Sequence, residues 1–245
     1  MLGPRLDWRD ETASTNTDAR ALAEAGEQGP VWIAARRQTA GRGRLGRTWE
    51  EASGNLYCTG LYRLDCAPSE AANWSFIAAL AVAELCDTAG ADPAGTRLKW
   101  PNDVYIQGAK VAGILLESGP HPTGGLWMAV GIGVNLAIAP PVQGRRVTAL
   151  ADHGSNLTPE AGLTRLVDAF ERYRRRWEMD GFDPIRTAWL SRAWSLGESC
   201  RASVNGVTVT GVFTDLLSNG ALQLSLADGS SKTVSAGEVF FSDQE

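Results

Sequence analysis

The sequence predicts an α+β fold in two unequal parts, a strand-rich main domain carrying several helices and a small closed or nearly closed β-barrel after it. Three observations predict this. Two long segments carry apolar residues at helical spacing: Trp74, Ile77, Ala78, Ala81 and Leu85 in the first, Leu163, Leu166, Val167, Phe170 and Trp177 in the second. Alternating or continuous apolar runs of strand length, at 31–35, 56–64, 110–117 and 126–134, outnumber them. After Leu196, short β-branched runs are separated by Asn205-Gly206, Asn219-Gly220 and Asp228-Gly229, dipeptides that favour tight hairpin turns. The 245 residues suffice for one substantial domain and a smaller module, with the boundary placed near Ser195, giving 1–195 and 196–245.

Taken in order, Ser14 or Thr15 can cap a first helix through Asp18, Ala19, Leu22 and Ala23, which Gly26 and Gly29-Pro30 bring to an end. A buried strand at 31–35 feeds a glycine-arginine segment, and a second strand at 56–64 is apolar on both faces. One core helix is expected over 68–89, with Gly90 as its stop. A hairpin then joins 104–106 to 110–117 through Gln107-Gly108-Ala109. Thr158 as cap, Pro159 at the first helical position and Glu160 in the first turn open the next helix. Near its end Arg172, Arg174, Arg175 and Arg176 complement the helix dipole and cover apolar surface with their stems, a structural role. A last helix, capped by Asp183 before Pro184, carries Ile185, Ala188 and Trp189.

Composition excludes several functions. Apolar and charged fractions of 44% and 21% are those of a globular protein. A net charge of -5 opposes a whole-surface nucleic-acid binder, so any anion site is local. Cys58, Cys66, Cys86 and Cys200 form no CxxC pair and read as reduced core thiols. Without a long apolar segment at the N-terminus, and with no run near the ~18 apolar residues of a membrane span, the expected compartment is the cytoplasm.

The chemistry is concentrated in a few segments. In Gly41-Arg42-Gly43-Arg44-Leu45-Gly46-Arg47 the glycines let backbone approach a ligand, and the arginines bring fork-shaped donors matched to phosphate and carboxylate. A linker or RNA-binding tail is the bland alternative, but the run lies between two core strands. It is neither a Walker loop nor a dinucleotide fingerprint, since it opens no helix. Like charges and three glycines predict a segment mobile when empty, awaiting ligand phosphates. Lys99-Trp100-Pro101-Asn102-Asp103 sets two opposite charges around a proline, and Lys110 begins an otherwise apolar strand, either snorkelling or held near an anion. Ser14-Thr15-Asn16 and Asn135 remain open between capping or turn roles and ligand contact.

In order and spacing, Ser14-Thr15-Asn16, Gln38 to Arg47, Lys99 to Asp103, Lys110-Val111-Ala112-Gly113-Ile114-Leu115 and Gly131-Ile132-Gly133-Val134-Asn135 resemble the biotin protein ligase family. The resemblance implies a mixed β-sheet with helices on one side, of the class II aminoacyl-tRNA synthetase type, followed by an SH3-like barrel. It implies an ATP-dependent ligase that makes biotinyl-5'-AMP and passes biotin to a lysine of a biotin carboxyl carrier protein or domain. Ser14, Thr15, Asn16, Gln38, Gly41, Arg42, Arg44 and Lys110 would bind biotin; Arg42, Arg44, Arg47, Trp49, Lys99, Asn102 and Asn135 would bind ATP or the adenylate. Lys110, Arg42, Arg44 and Asp103 would be catalytic, Trp49 would close over the adenylate, and magnesium would enter with ATP near Asn135. Two departures stand out. The stretch before Trp8 is too short for a helix-turn-helix, so a ligase without DNA binding is expected. The family's Gly-Ile-Asp stretch in the barrel reads Asp215-Leu216-Leu217, which leaves contact of the barrel with ATP or acceptor open. Arg36-Arg37 has no assigned role. A homodimer is compatible with an exposed sheet edge. The rivals are a lipoate or octanoate ligase of the same fold and, from another class, an RNA-binding module.

Overall fold

The computed structural model describes residues 3–204, 207–235 and 237–241. The main body opens with β1 (Arg5–Thr12), α1 (Thr15–Glu24), β2 (Val31–Gln38) and β3 (Leu56–Leu64). Next come α2 (Pro68–Ala71), α3 (Trp74–Thr88), β4 (Thr96–Lys99), β5 (Asp103–Ile106), β6 (Ala109–Pro120) and β7 (Leu126–Val134). Helices α4 (Pro159–Asp180) and α5 (Asp183–Leu190) complete it. These strands form one seven-stranded sheet in the order β1-β2-β3-β7-β6-β5-β4. Only the β1–β2 pairing is parallel, so the sheet is mixed.

Strand alternation divides the core into two layers. Trp32 and Ala34 of β2 face the large cluster that includes Trp74, Ile77 and Phe170 of α3 and α4, while Val31 and Ile33 face Ala19 and Ala23 of α1. The helices are therefore not all on one side, as the resemblance implied: α1 covers the opposite face, because β2 and β3 are apolar on both faces and each face must be covered. Helix α3 is buried almost all round, lying between the sheet and helices α4 and α5. The helix expected over 68–89 is broken at Ala72-Asn73, where tighter bonds from Asn73 N to Glu70 O (3.0 Å) and from Phe76 N to Asn73 O (3.0 Å) interrupt the α pattern.

The start of α4 is as read: Thr158 Oγ1 accepts from Ala161 N at 3.3 Å, with Pro159 in the first turn. Two of its clustered arginines are held in ion pairs. Arg172 pairs with Glu84, and Arg174 pairs with Glu171 (2.9 Å) and Glu178. Asp183 is the first helical residue of α5, one position inside the expected cap. Strand β1 carries too many charges to stand out, and it is held by its register with β2. Residues Gln107 and Gly108, both at positive φ (48° and 80°), make the two-residue turn between β5 and β6.

The C-terminal strands β8 (Ser199–Val204), β9 (Val207–Leu216), β10 (Leu222–Ser225), β11 (Ser231–Val234) and β12 (Glu238–Phe241) form a five-stranded antiparallel sheet in the order β11-β10-β9-β8-β12. The turns at Asn219-Gly220 and Asp228-Gly229 connect its strands, whereas Asn205-Gly206 lies outside the described residues. Trp100 Nε1 donates to Gly220 O at 3.1 Å, and Arg186 of α5 grips the Asp215 carboxylate. Asp215, in the stretch that departs from the family pattern, thus serves to anchor this sheet to α5. The four cysteines are free thiols; burial raises Cys58 and pushes Cys86 up to about 12 and Cys200 to about 11, so they are protonated at neutral pH. No helix among the described residues is long and apolar enough to cross a membrane.

Candidate active site

A cavity of about 550 Å³ opens on the sheet between the N-terminus of α1, the segment 41–49, the 99–103 turn and β12. At its inner end the residues of the α1 start are tied to strands rather than to their own helix. Ser14 occupies the N-cap position without a side-chain cap bond. Gln38 Oε1, at the end of β2, accepts from Thr15 N (2.8 Å) and Thr15 Oγ1 (3.2 Å). Thr59 Oγ1 lies 2.8 Å from Thr15 Oγ1 and 2.7 Å from Asn16 Oδ1, its one hydrogen serving one at a time. Ser14, Thr15, Asn16 and Gln38 are all buried. Gly131 makes room for this cluster, since a Cβ there would stand 2.0 Å from Asn16 Oδ1.

The glycine-arginine segment forms a compact lid. Arg42 pairs with Thr48 as an antiparallel bridge, Gly43 N donates to Arg47 O (2.7 Å), and Trp49 N donates to Gly41 O (3.0 Å). Leu45, at φ 57°, turns the chain at its tip. The lid has protein partners where the sequence suggested it would wait for phosphates. Arg42 makes two bonds to Glu117 (3.0 and 2.8 Å), and Arg44 donates to Asn102 Oδ1 (3.0 Å) and Gly237 O (3.1 Å). The expected lack of counter-charge is therefore corrected: a carboxylate 75 residues further along the chain supplies it to Arg42. Trp49 lies against Gly133 and Gly113, where added Cβ atoms would meet its ring at 2.6 and 2.9 Å.

At the centre, Lys110 Nζ is 2.7 Å from Asp103 Oδ1 and 5.3 Å from the Trp49 ring centroid, with the lysine and aspartate side chains only 14% and 16% exposed. Asn102 Nδ2 donates to Ile114 O (2.6 Å), fixing the turn that carries Asp103 to β6. Lys99 Nζ sits 5.7 Å from the Tyr105 ring and 6.0 Å from Phe240.

Most residues singled out from the sequence meet in this one cavity: Ser14, Thr15, Asn16, Gln38, Arg42, Arg44, Arg47, Trp49, Lys99, Asn102, Asp103 and Lys110 line it. Gly41 and Asn135 do not. Asn135 is buried, and its amide donates to Thr148 O (3.2 Å), clipping the end of β7 to the following segment. Arg36 pairs with Glu160 and lies over Trp8, and Arg37 pairs with Glu11, so both sit in surface ion pairs. Arg145, Arg146, Tyr105, Val239 and Phe240 also line the cavity and were missed. The dipeptide Arg145-Arg146 beside Gly144 was a legible cue for the first two, whereas the β12 residues arrive through tertiary packing alone. Among the described residues no group of three or more His, Cys, Asp or Glu stands ready to hold a metal ion.

Residues 8–136 match the family model described as the biotin/lipoate A/B protein ligase family, and residues 195–242 match the biotin protein ligase C-terminal domain. The chain belongs to this ligase family. Within it, the chain is 42% identical to the biotin--[acetyl-CoA-carboxylase] ligase of Paracoccus denitrificans, covering 94% of this chain and 98% of that one. It is 33% identical to the ligase of the same name from Mycobacterium tuberculosis, covering 98% and 91%. The biotin protein ligase of Aquifex aeolicus, solved in complex with biotin and ATP, superposes with a TM-score of 0.81 at 26% identity over 96% of this chain and 97% of that one.

Proposed function

We propose that this chain is a biotin protein ligase, which activates biotin with ATP and transfers it to a lysine of a biotin carboxyl carrier protein or domain, acting in the cytoplasm. The observation that carries the reading is the meeting, in one cavity, of a buried neutral polar cluster (Ser14, Thr15, Asn16, Gln38) and a cationic one (Arg42, Arg44, Arg47, Lys110). The first suits a ureido ring, which offers N–H donors and a carbonyl acceptor. The second suits a carboxylate meeting a triphosphate. The names of the relatives, and the biotin and ATP held by the Aquifex aeolicus structure, support the same substrates.

The first step is largely an electrostatic problem. A biotin carboxylate oxygen attacks the α-phosphorus, the bond from that phosphorus to the pyrophosphate oxygen breaks, and pyrophosphate leaves. Two anions must approach, so preplaced cations lower the barrier where charge builds on the phosphoryl oxygens. Lys110 has the place for this, its ammonium held over the cavity by Asp103 and Trp49. Arg42, Arg44 and Arg47 come from above on the lid, and magnesium arrives on the ATP phosphates as part of the substrate. The mixed anhydride formed is prone to hydrolysis, and Trp49, packed over Gly113 and Gly133, would shield it from water. In the second step the acceptor amine attacks the acyl carbon, AMP leaves with the bonding electrons, and Asp103 takes or relays the amine proton. Residues 1–195 would hold both substrates, with 196–245 closing one side through Val239 and Phe240.

The test is exchange of labelled pyrophosphate into ATP. Exchange that requires biotin, and that lipoate or octanoate does not support, is the expected result; exchange supported by lipoate or octanoate but not by biotin would overturn the assignment.

A further inference from the structure

Glu117 stands outside the residues that line the cavity, yet both ends of the site bond to it. It lies on β6 two residues beyond Leu115, whose carbonyl oxygen accepts from Asn16 Nδ2 at 3.3 Å. Its Oε2 accepts from the same nitrogen at 2.7 Å, and its two oxygens accept from Arg42 at 3.0 and 2.8 Å. One carboxylate thus joins α1, β6 and the lid. The nearby Arg20 is engaged with Glu24 at 2.7 Å.

Each bond fixes an orientation. With both Nδ2 hydrogens directed to Leu115 O and Glu117, the amide of Asn16 presents Oδ1 towards Thr59 and the face of Gly131, as an acceptor inside the pocket. The paired bonds to Arg42 set the plane of its guanidinium at the cavity rim, where a single-point contact would leave it free to rotate. Arg42 is 45% and Glu117 28% exposed, so the pair adds little to folding stability, and its effect falls on placement.

We propose that Glu117 is a positioning residue for biotin binding, holding the Asn16 amide of the inner pocket and the Arg42 guanidinium of the lid from one carboxylate, so that filling the pocket and seating the lid are coupled. This rests on the reading of the cavity as the biotin site. The experiment measures biotin binding calorimetrically without ATP, together with exchange kinetics and melting temperature, for wild type, Glu117→Ala and Glu117→Gln. Glu117→Ala is expected to weaken biotin binding and raise its KM about tenfold, with a smaller rise in the KM for ATP and a smaller fall in kcat, both through the loosened Arg42 guanidinium. Glu117→Gln still accepts from Asn16 but loses the charged pairing, and recovers part of the affinity; it also serves as the test if the alanine variant does not fold. In an Asn16→Ala background the Glu117→Ala change is expected to cost less than it does in wild type. Wild-type affinity in both variants, or equal rises in the KM of biotin and ATP, overturns the inference alone. Failure of the wild-type chain to bind biotin overturns the reading of the cavity, and the inference with it.

Discussion

At the residue scale the site turns on a short list of atoms. Lys110 and Asp103 form a mostly buried pair at 2.7 Å, and such a pair is retained at a desolvation cost that makes each partner costly to remove alone. In Lys110→Ala, biotin-dependent pyrophosphate exchange is expected to fall about 10²-fold or more, a loss of ~3 kcal/mol in transition-state stabilisation, with far-UV circular dichroism unchanged. Gly131 carries the opposite kind of sensitivity. In Gly131→Ala the new methyl group would stand 2.0 Å from Asn16 Oδ1, and since it springs from the backbone of a central strand, Asn16 must give way. Calorimetry is expected to show biotin binding lost while the chain still melts cooperatively. Neither glycine nor asparagine announced this contact, which joins residues over a hundred positions apart. Lys110 was ambiguous for a related reason: a cation at the start of an apolar strand reads equally as snorkelling, and only Asp103 and Trp49 across the cavity decide otherwise.

Among the elements, legibility followed periodicity. Helix α4 was legible because its cap at Thr158 and its apolar face from Leu163 to Trp177 are both local in sequence. Thr158→Ala is expected to cost ~1 kcal/mol by urea denaturation, the usual value for a lost N-cap. Strand β1 gave no such signal, since six of its eight residues, Arg5, Asp7, Arg9, Asp10, Glu11 and Thr12, are charged or polar and it sits at the sheet edge. Three glycines and alternating arginines point to an anion-binding loop, but the ties of the lid to Glu117, Asn102 and Gly237 are long-range and leave no local pattern. The short turn at 150–153, which ends the segment clipped by Asn135, is held by Asp152. The Ala149 N–H, and after it the Thr148 hydroxyl, hold the Asp152 carboxyl below its ordinary value. A carboxyl lowered by folding stabilises the folded chain above its unfolded pKa, about 3.9, and loses that contribution as pH falls through the folded value. Asp152→Asn is therefore expected to be less stable than wild type at pH 7, and the gap in melting temperature to narrow as pH drops below about 4.

For the whole molecule, the decisive feature is that the two sheets meet at the site. Trp100 reaches Gly220, Arg186 holds Asp215, Arg44 binds Gly237, and Phe240 lines the cavity. A chain lacking residues 196–245 is expected to lose most of its exchange activity, because the 99–103 turn and the lid lose their supports together. The α+β class and the separate C-terminal strands were legible from alternation and turn dipeptides, but how the second sheet closes one side of the cavity depends on contacts that no local spacing encodes. The central claim is that this cavity joins biotin to the AMP portion of ATP, releasing pyrophosphate, and then passes it to a lysine, releasing AMP. Its most direct measurement is the mass of a biotin carboxyl carrier domain after incubation with the chain, biotin and magnesium-ATP. A gain of one biotinyl group, absent when ATP is omitted or when Lys110→Ala replaces wild type, is the expected result; an unchanged carrier mass, or a gain that does not require ATP, would contradict it.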